Sequence, residues 1–471
     1  MIKVGFYEAD ITPGIGMERP ADYRKVFIEE IREEIKVRST FISDGKTQVA
    51  IVGVDTCMMS GEISDAVQKE FPDTTILLSP AHAHNAGPAT ECNIPEYYSE
   101  RAKKIIREET ICGNPHYVMH VICQIITSIK MAQIRAEEVN FSFGRGNVEG
   151  VTFNRGFKMK NGHRATHPGK CNPEIVAPFA PIDTEAGTVG FWRKSDGSFL
   201  GCLVTFNCHA TCATSGPSNA DWPGQMVRTI RAVMGEKCGV TYVYGCAGEI
   251  TQVNNLSLAP VEGGAACAEK IGVSVGAEVL KILMRAERGE INTLKTVSDQ
   301  LLVKRRKPSK KTVENAIAIL DKGDKSSAEY QFAKQHFLAA EMIAHEPEFH
   351  INMDAIQIGP LVIVTTPGEV FCGTGLDVKK DSAFPFTWVS SLANRSIGYV
   401  PTADVLDPVT GGGYESRLTV ATCAAPETAE NMTKKALELI GKLTPDPVPV
   451  GPQIKPATTV WAYGSNLPEL E

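Results

Sequence analysis

Residues Thr75–Pro88 read TILLSPAHAHNAGP. A β-branched and aliphatic run stops at Ser79-Pro80, and two histidines one residue apart follow before Gly87-Pro88. In extended chain alternate side chains share a face, so His82 and His84 can point into one site. A buried strand, an abrupt turn and paired imidazoles are how an open α/β sheet delivers metal ligands or acid–base groups to a cleft. Two solvated loop histidines would leave the same letters, so the reading rests on what the rest of the chain gathers around them.

Working outward, apolar β-type runs recur at Gln48–Val54, Leu203–Phe206, Val240–Tyr244, Leu361–Thr365 and Thr387–Leu392. Between them lie helical periods. Val118, Ile122, Ile125, Ile126 and Ile129 share one face, as do Ile271, Val275, Val279, Ile282 and Leu283. Strands apolar on both faces with helices between them predict an α/β fold. The expected core is a mixed, largely parallel sheet covered by helices, in a single large domain. Lys310–His345 reads as two polar helices on the outside, broken at Lys322-Gly323-Asp324. Arg155–Pro181 reads as a long loop with glycine, proline and lysine, either functional or mobile. Its His163 and His167 read as solvated or at most substrate-contacting. The proline-rich stretch Thr444–Glu471 is expected to lie extended over the surface, leaving residues 1–443 as one large folded domain.

The bulk properties exclude several function classes. With 471 residues, 43% hydrophobic and 22% charged, the chain can bury a large core. Its net charge of −7 offers no electrostatic footprint for nucleic acid. No run of 18 apolar residues stands out, so no membrane insertion is expected. The start, MIKVGFYEADITPGIG, lacks the basic region, apolar core and cleavage site of a signal peptide. A cytoplasmic location with reduced thiols is therefore expected for the 13 cysteines. Cys208 and Cys212 flank His209, but buried small apolar residues explain them better than metal ligation.

The paired histidines do not stand alone. LVTFNCHAT puts His209 after one strand, and VTYVYGCAGEITQ ends another with Gly248, Glu249 and Thr251. LVIVTTPGEVF ends with Pro367, Gly368 and Glu369, and TWVSSLANRSIGYV closes with Asn394, Arg395 and Tyr399. Each has an ordinary explanation: a helix-start glutamate, a core histidine, a packed aromatic. Four strand ends decorated alike point to one site. Two or three histidines and a glutamate suit zinc, which takes imidazole nitrogen and carboxylate oxygen and keeps a position for water in catalytic sites.

Taken in order, these segments resemble the catalytic domain of the neutral (non-lysosomal) ceramidases and their bacterial relatives, from residue 1 to about 440. GFYEADITPGIG resembles the family's opening, and FISDGKTQVAIVGVDT followed by ILLSPAHAHNAGP resembles its strand and "THTHSGP" signature. FNRGF, TFNCHAT, SNADWPG, TPGEVF and the pair Tyr399 and Tyr414 follow in the family's order. The resemblance implies zinc ligands at His82, His209, Glu369 and Tyr399. It implies that His84 contacts the reacting carbonyl, that Arg155 holds the substrate or transition state, and that Tyr414 is a second active-site tyrosine. It implies hydrolysis of an amide by zinc-activated water, on N-acyl sphingoid bases in that family.

Two departures matter. Thr251 stands where the family has serine and Glu249 where it has aspartate, and threonine is stiffer at χ1. Residues 403–413 form an insertion ending in three glycines, placed to reshape the pocket mouth. The expectation is a zinc hydrolase acting on an amide or related acyl bond of a small soluble substrate. An esterase, lactonase or other C–O hydrolase on the same framework, and a non-catalytic metal-binding protein, are the alternatives.

Overall fold

The structure, a computed structural model, describes every residue except Ala21, Glu262, Asn466, Leu470 and Glu471. The chain opens with β1 (Lys3–Asp10), β2 (Lys36–Ser43) and β3 (Gln48–Val54), then runs through α1 (Gly61–Glu70), β4 (Thr74–Pro80), α2 (Glu100–Glu109) and α3 (Pro115–Ile134) to β5 (Glu137–Asn147). Short strands β6 (Phe153–Asn154), β7 (Gly156–Met159), β8 (Arg164–Thr166) and β9 (Ile175–Pro178) precede β10 (Glu185–Arg193) and β11 (Phe199–Phe206). Then come α4 (Asp221–Met234), β12 (Gly239–Tyr244), β13 (Ile250–Thr251), α5 (Gly264–Arg285) and β14 (Leu294–Lys304). The last part holds α6 (Lys310–Lys322), α7 (Ala328–His345), β15 (Glu348–Ile358), β16 (Leu361–Thr366), β17 (Glu369–Val370), α8 (Cys372–Asp381), β18 (Phe386–Ser391), β19 (Tyr399–Val400) and α9 (Thr428–Ile440).

Eight strands form the main sheet in the order β12-β11-β10-β5-β1-β2-β3-β4, and a second sheet runs β14-β15-β16-β18. The mixed α/β core is as expected from the sequence. Parallel pairing, though, is confined to β3–β4 and β11–β12 in the large sheet and β16–β18 in the small one; the remaining ladders of both sheets are antiparallel. Short hairpins close three of these antiparallel pairs, β2–β3, β10–β11 and β15–β16. Gly45, at φ +92°, closes the β2–β3 turn, with Asp44 Oδ1 accepting from the Lys46 and Thr47 amides.

The cover also differs from the all-helical one expected. One face of the large sheet buries Val37, Ala50, Val52 and Ala186 in one core with Ile63 of α1, Val121 and Ile125 of α3 and Val275 and Val279 of α5. The other face packs Val49, Ile51, Leu77 and Leu203 against Ile356, Ile363 and Trp388 of the second sheet. That sheet's far face, with Met353, Val362 and Val364, is covered by Val378 of α8 and Met432 and Leu439 of α9. The layers are therefore helix, sheet, sheet, helix. A strand apolar on both faces reveals that it is covered, not by what.

α3 starts as its sequence dictates: Asn114 Oδ1 caps the His116 and Tyr117 amides and Pro115 takes the first turn. It is 20 residues long, and by length and composition alone it could cross a membrane. Here its buried face lies on β1 and β2, where the Ser128 and Ser39 hydroxyls meet at 2.6 Å. Gly5 permits the approach, since a β-carbon there would sit 2.0 Å from the Ala132 carbonyl oxygen. α6 and α7 break at Gly323 as expected, but α7 is not merely an outer helix. Tyr330, Ala333 and Phe337 bury against Tyr98, Ala102 and Ile105.

Arg155–Pro181, read as a loop, contains a three-stranded sheet, β8-β7-β9. The proline-rich stretch starts docked and extended. Thr444 O accepts from Gln357 Nε2, Asp446 accepts from the Asn292 and Thr293 amides, and Gly451 N donates to Glu287.

The large sheet coils until its far strands face each other. Thr40 of β2 donates to Thr241 Oγ1 of β12 at 2.8 Å, and the Tyr244 amide donates to Ser79 Oγ of β4 at 2.8 Å. In a flat sheet five strand spacings of about 4.8 Å would separate β2 from β12. Coiling thus brings the carboxyl ends of β4 and β11 together.

Candidate metal centre

Past β4 the backbone keeps pairing with the chain beyond β3: the Ala81 amide donates to Val54 O and the Ala83 amide to Thr56 O. Ala83 and Ala210 form an isolated parallel bridge, and the His84 amide donates to Ala210 O at 3.3 Å. The His82–His84 and Cys208–Ala210 segments therefore run side by side. His82 itself sits at φ +60°, a left-handed conformation that costs a non-glycine residue energy and is found at functional sites. Glu369 comes from the second sheet. β16 ends at Thr366, and Pro367-Gly368 turns the chain into β17, which pairs in parallel with β19 so that Glu369 faces Tyr399. A β-carbon on Gly368 would lie 2.9 Å from the Gly398 oxygen, so glycine is what allows this crossing.

The side chains converge. Glu369 Oε2 lies 3.3 Å from His82 Nε2 and 3.5 Å from His209 Nε2, and His84 Nε2 lies 3.3 Å from His82 Nε2. His82, His209 and Glu369 are all buried, and their ligand atoms lie within 4.8 Å of one another. His82 Nδ1 donates to the Cys57 carbonyl at 2.8 Å, which fixes the tautomer and leaves Nε2 as the inward-facing lone pair. Neither ring nitrogen of His209 nor Oε2 of Glu369 has a hydrogen-bond partner among the described residues. Buried polar atoms rarely go unpaired. Two imidazoles and a carboxylate aimed at one point, with lone pairs unspent, fit a divalent cation.

Electrostatics agree. Burial opposes the Glu369 charge, but His82 and His209 outweigh it and hold its carboxyl well below the usual range. Burial, then the neighbouring His82, brings His209 down to about 4. His84 is likewise pushed well below its ordinary value, first by burial and then by His82 and His209. An ionised carboxylate beside the neutral His209 imidazole is the protonation state metal binding requires, and an entering cation would displace the proton that Glu369 holds on His82. Only His82 is raised: burial lowers it, but Cys57 and the Glu369 carboxylate outweigh that.

The other expected residues form a second ring. Tyr399 accepts from Arg155 Nη2 at 3.1 Å, and its ring stands edge-on to Tyr414 at 5.7 Å. Arg155 also donates through Nη2 to Gly248 O at 2.7 Å and through Nε to Glu415 Oε1 at 2.6 Å. Tyr414 shares a 2.7 Å hydroxyl–hydroxyl bond with Tyr23. Thr251 is buried on β13, with its hydroxyl donating to Gln252 Oε1 and accepting from the Val253 amide. Glu249 accepts from the Cys372 amide at the start of α8, and Asn394 bonds Leu78 of β4 through both its amide and its side chain. Arg395 pairs with Asp65 on the surface. Cys208 and Cys212 are buried outside the histidine–glutamate cluster, as expected.

Three site residues were not singled out by the sequence reading. Glu415, fully buried, pairs with Arg155 and also with Arg164 Nη1 at 2.8 Å. Tyr23 arrives from the N-terminal segment. Glu415 follows Tyr414 in the motif, which was the available signal; nothing local announces Arg164 or Tyr23. A cavity of about 620 Å³ opens beside this ring, walled by Arg155, Arg164, Thr166, His167, Gly413 and Tyr414. The 403–413 insertion folds against β8, where Arg164 Nη1 donates to Gly412 O and the Arg164 amide to Thr410 O. Gly413, at φ +95°, thus lines the mouth.

No protein-family model and no curated protein sequence matches the chain. Solved structures do. The crystal structure of neutral ceramidase from Pseudomonas aeruginosa superposes with a TM-score of 0.68 at 16% identity, over 96% of this chain and 76% of that one. A ceramidase complexed with C2 gives a TM-score of 0.69 at 15% identity, over 96% and 77%. The chain has the fold of these enzymes.

Proposed function

We propose that this chain, which carries the neutral-ceramidase fold, is a metal-dependent hydrolase cleaving an amide or related acyl bond of a small soluble substrate. One observation carries the reading: His82, His209 and Glu369 present buried, convergent ligand atoms, several of them with no protein partner. These three would hold the ion, with Tyr399 beside Glu369 as the fourth ligand, and two imidazoles with a carboxylate favour zinc. Such an ion supplies a water activated at neutral pH and polarisation of a carbonyl. The catalytic unit is residues 1–443, with 444–471 as a tail.

The chain's own groups do the rest. His82 is held in one tautomer by Cys57 O. His84, kept neutral by burial and by its histidine neighbours, faces His82 Nε2 at 3.3 Å, and with an ion on His82 its own Nε2 would be free to take a proton and return it to the leaving group. Arg155 steadies the Tyr399 hydroxyl, and the pair offsets negative charge developing on the carbonyl oxygen. Removing one such donor typically costs about 10²–10³ in rate. Thr251, tied into Gln252 and Val253, is a poor nucleophile.

The test is turnover of a panel of chromogenic amides and esters by the native protein, by chelated protein and by His82→Ala and His209→Ala. The proposal expects hydrolysis that chelation abolishes and zinc restores, and none in either variant. Full activity in both variants would overturn the ligand assignment.

A further inference from the structure

The cavity beside the metal centre has a charge opposite to that of the chain. Arg155 and Arg164 both reach its wall, and the Glu415 carboxylate is set between them. The two arginines outweigh burial and hold that carboxyl at about 2, so it stays ionised. His167 is pushed below its ordinary value by burial and adds no charge at neutral pH. Two guanidiniums against one carboxylate leave the wall one positive charge in excess, on a protein of net charge −7.

Arg155 is held as a preformed donor. Its Nε is bonded to Glu415, and its Nη2 to Gly248 O and the Tyr399 hydroxyl. Its Nη1 makes no hydrogen bond to the chain among the described residues, and it is not one of the buried nitrogens left without a partner. A guanidinium fixed by three bonds, with its remaining nitrogen at a cavity wall, is prepared for an anion at little entropic cost. Beside the guanidiniums, Ala165 and the Tyr414 ring supply apolar surface.

We propose that the substrate carries a carboxylate close to the scissile acyl bond, and that Arg155 Nη1 binds it in this cavity. The substrate class is then a short, carboxylate-bearing amide or ester rather than a neutral long-chain lipid. The reaction part of this inference rests on the hydrolase reading above; the binding part does not. Nη1 serves the carboxylate while Nη2 serves Tyr399, so the two roles do not compete.

The experiment has two arms on the metal-loaded 471-residue chain. In the first, kcat/KM is compared for succinyl and butyryl para-nitroanilides, which differ by one terminal carboxylate, and for a long-chain N-acyl amide in mixed micelles. In the second, calorimetry follows succinate and butyramide binding to the native protein and to Arg155→Lys and Arg155→Gln. The proposal expects a preference of at least about 30-fold for the succinyl substrate, shrinking as salt screens the charge. It expects succinate binding that weakens in Arg155→Lys and vanishes in Arg155→Gln, with butyramide unbound throughout. Succinate binding without turnover of any substrate would sink the hydrolase reading and support this inference. Equal turnover of both anilides, or preference for the long-chain amide, would overturn this inference and leave the hydrolase reading intact. The native-protein comparisons decide the matter even where a variant fails to fold.

Discussion

Arg155 and Glu415, 260 residues apart in sequence, are joined by a 2.6 Å ion pair in which the carboxylate is fully buried. Arg164 closes the other oxygen at 2.8 Å. Removing one partner of such a pair strands the other charges, a loss of about 3–5 kcal/mol. Glu415→Gln should therefore unfold several degrees earlier and lose most activity, read by calorimetry and turnover. The sign with pH follows from its lowered value of about 2. The stabilisation is present above the ordinary carboxyl range and disappears as pH falls towards 2. Glu415→Gln should lack that acid-side loss, and an unchanged acid profile would refute the assignment.

Tyr23 reaches the site from far off in sequence and bonds Tyr414. Behind it Lys334 is buried, donating to Tyr23 O, Glu109 O and Gln331 Oε1. Tyr23→Phe deletes one hydrogen bond, about 0.5–1.5 kcal/mol, and frees the Tyr414 hydroxyl. The expected result is a small fall in melting temperature with a larger change in KM than in kcat. An unchanged KM would show that Tyr414 is positioned by other contacts.

Glu249 runs the opposite way with pH. Burial pushes its carboxyl up to about 7, against the pull of the Cys372 amide. A raised acid stabilises fully below its unfolded value and loses that contribution as pH climbs through about 7. Glu249→Gln keeps the acceptor and removes the titration. The stability difference between native protein and variant should shift by roughly 2.5 kcal/mol between pH 5 and pH 8, favouring the variant at the alkaline end. Denaturant titrations at the two pH values measure it, and a constant difference would contradict it.

Metal removal should register in stability as well as activity. A ligand that binds only the folded chain stabilises it by about 2.7 kcal/mol at a hundredfold excess over its dissociation constant. Chelation should lower the melting temperature of the native protein and leave that of Glu369→Gln unmoved. Equal shifts in both would place the bound metal elsewhere.

Much of this was legible in the letters. The strand at Gln48–Val54 and the run before Pro367 announce themselves as unbroken apolar segments, because buried strands carry no polar face. His82, His209 and Glu369 were legible because each follows such a strand behind a turn. The second sheet's position was not legible: Ile51 and Ile363 look the same in sequence whether a helix or another sheet covers them. Nor was the coiling that sets Thr40 against Thr241, since twist accumulates over the whole sheet. Arg164 and Tyr23 escaped because their partners lie hundreds of residues away, and no periodicity encodes a buried charge pair.

The most direct test of the central claim is a crystal grown with zinc and measured on both sides of the zinc absorption edge. The account predicts one strong anomalous peak per chain, within bonding distance of His82 Nε2, His209 Nε2 and Glu369 Oε2. A fully loaded protein with that point empty and its anomalous signal elsewhere would contradict it.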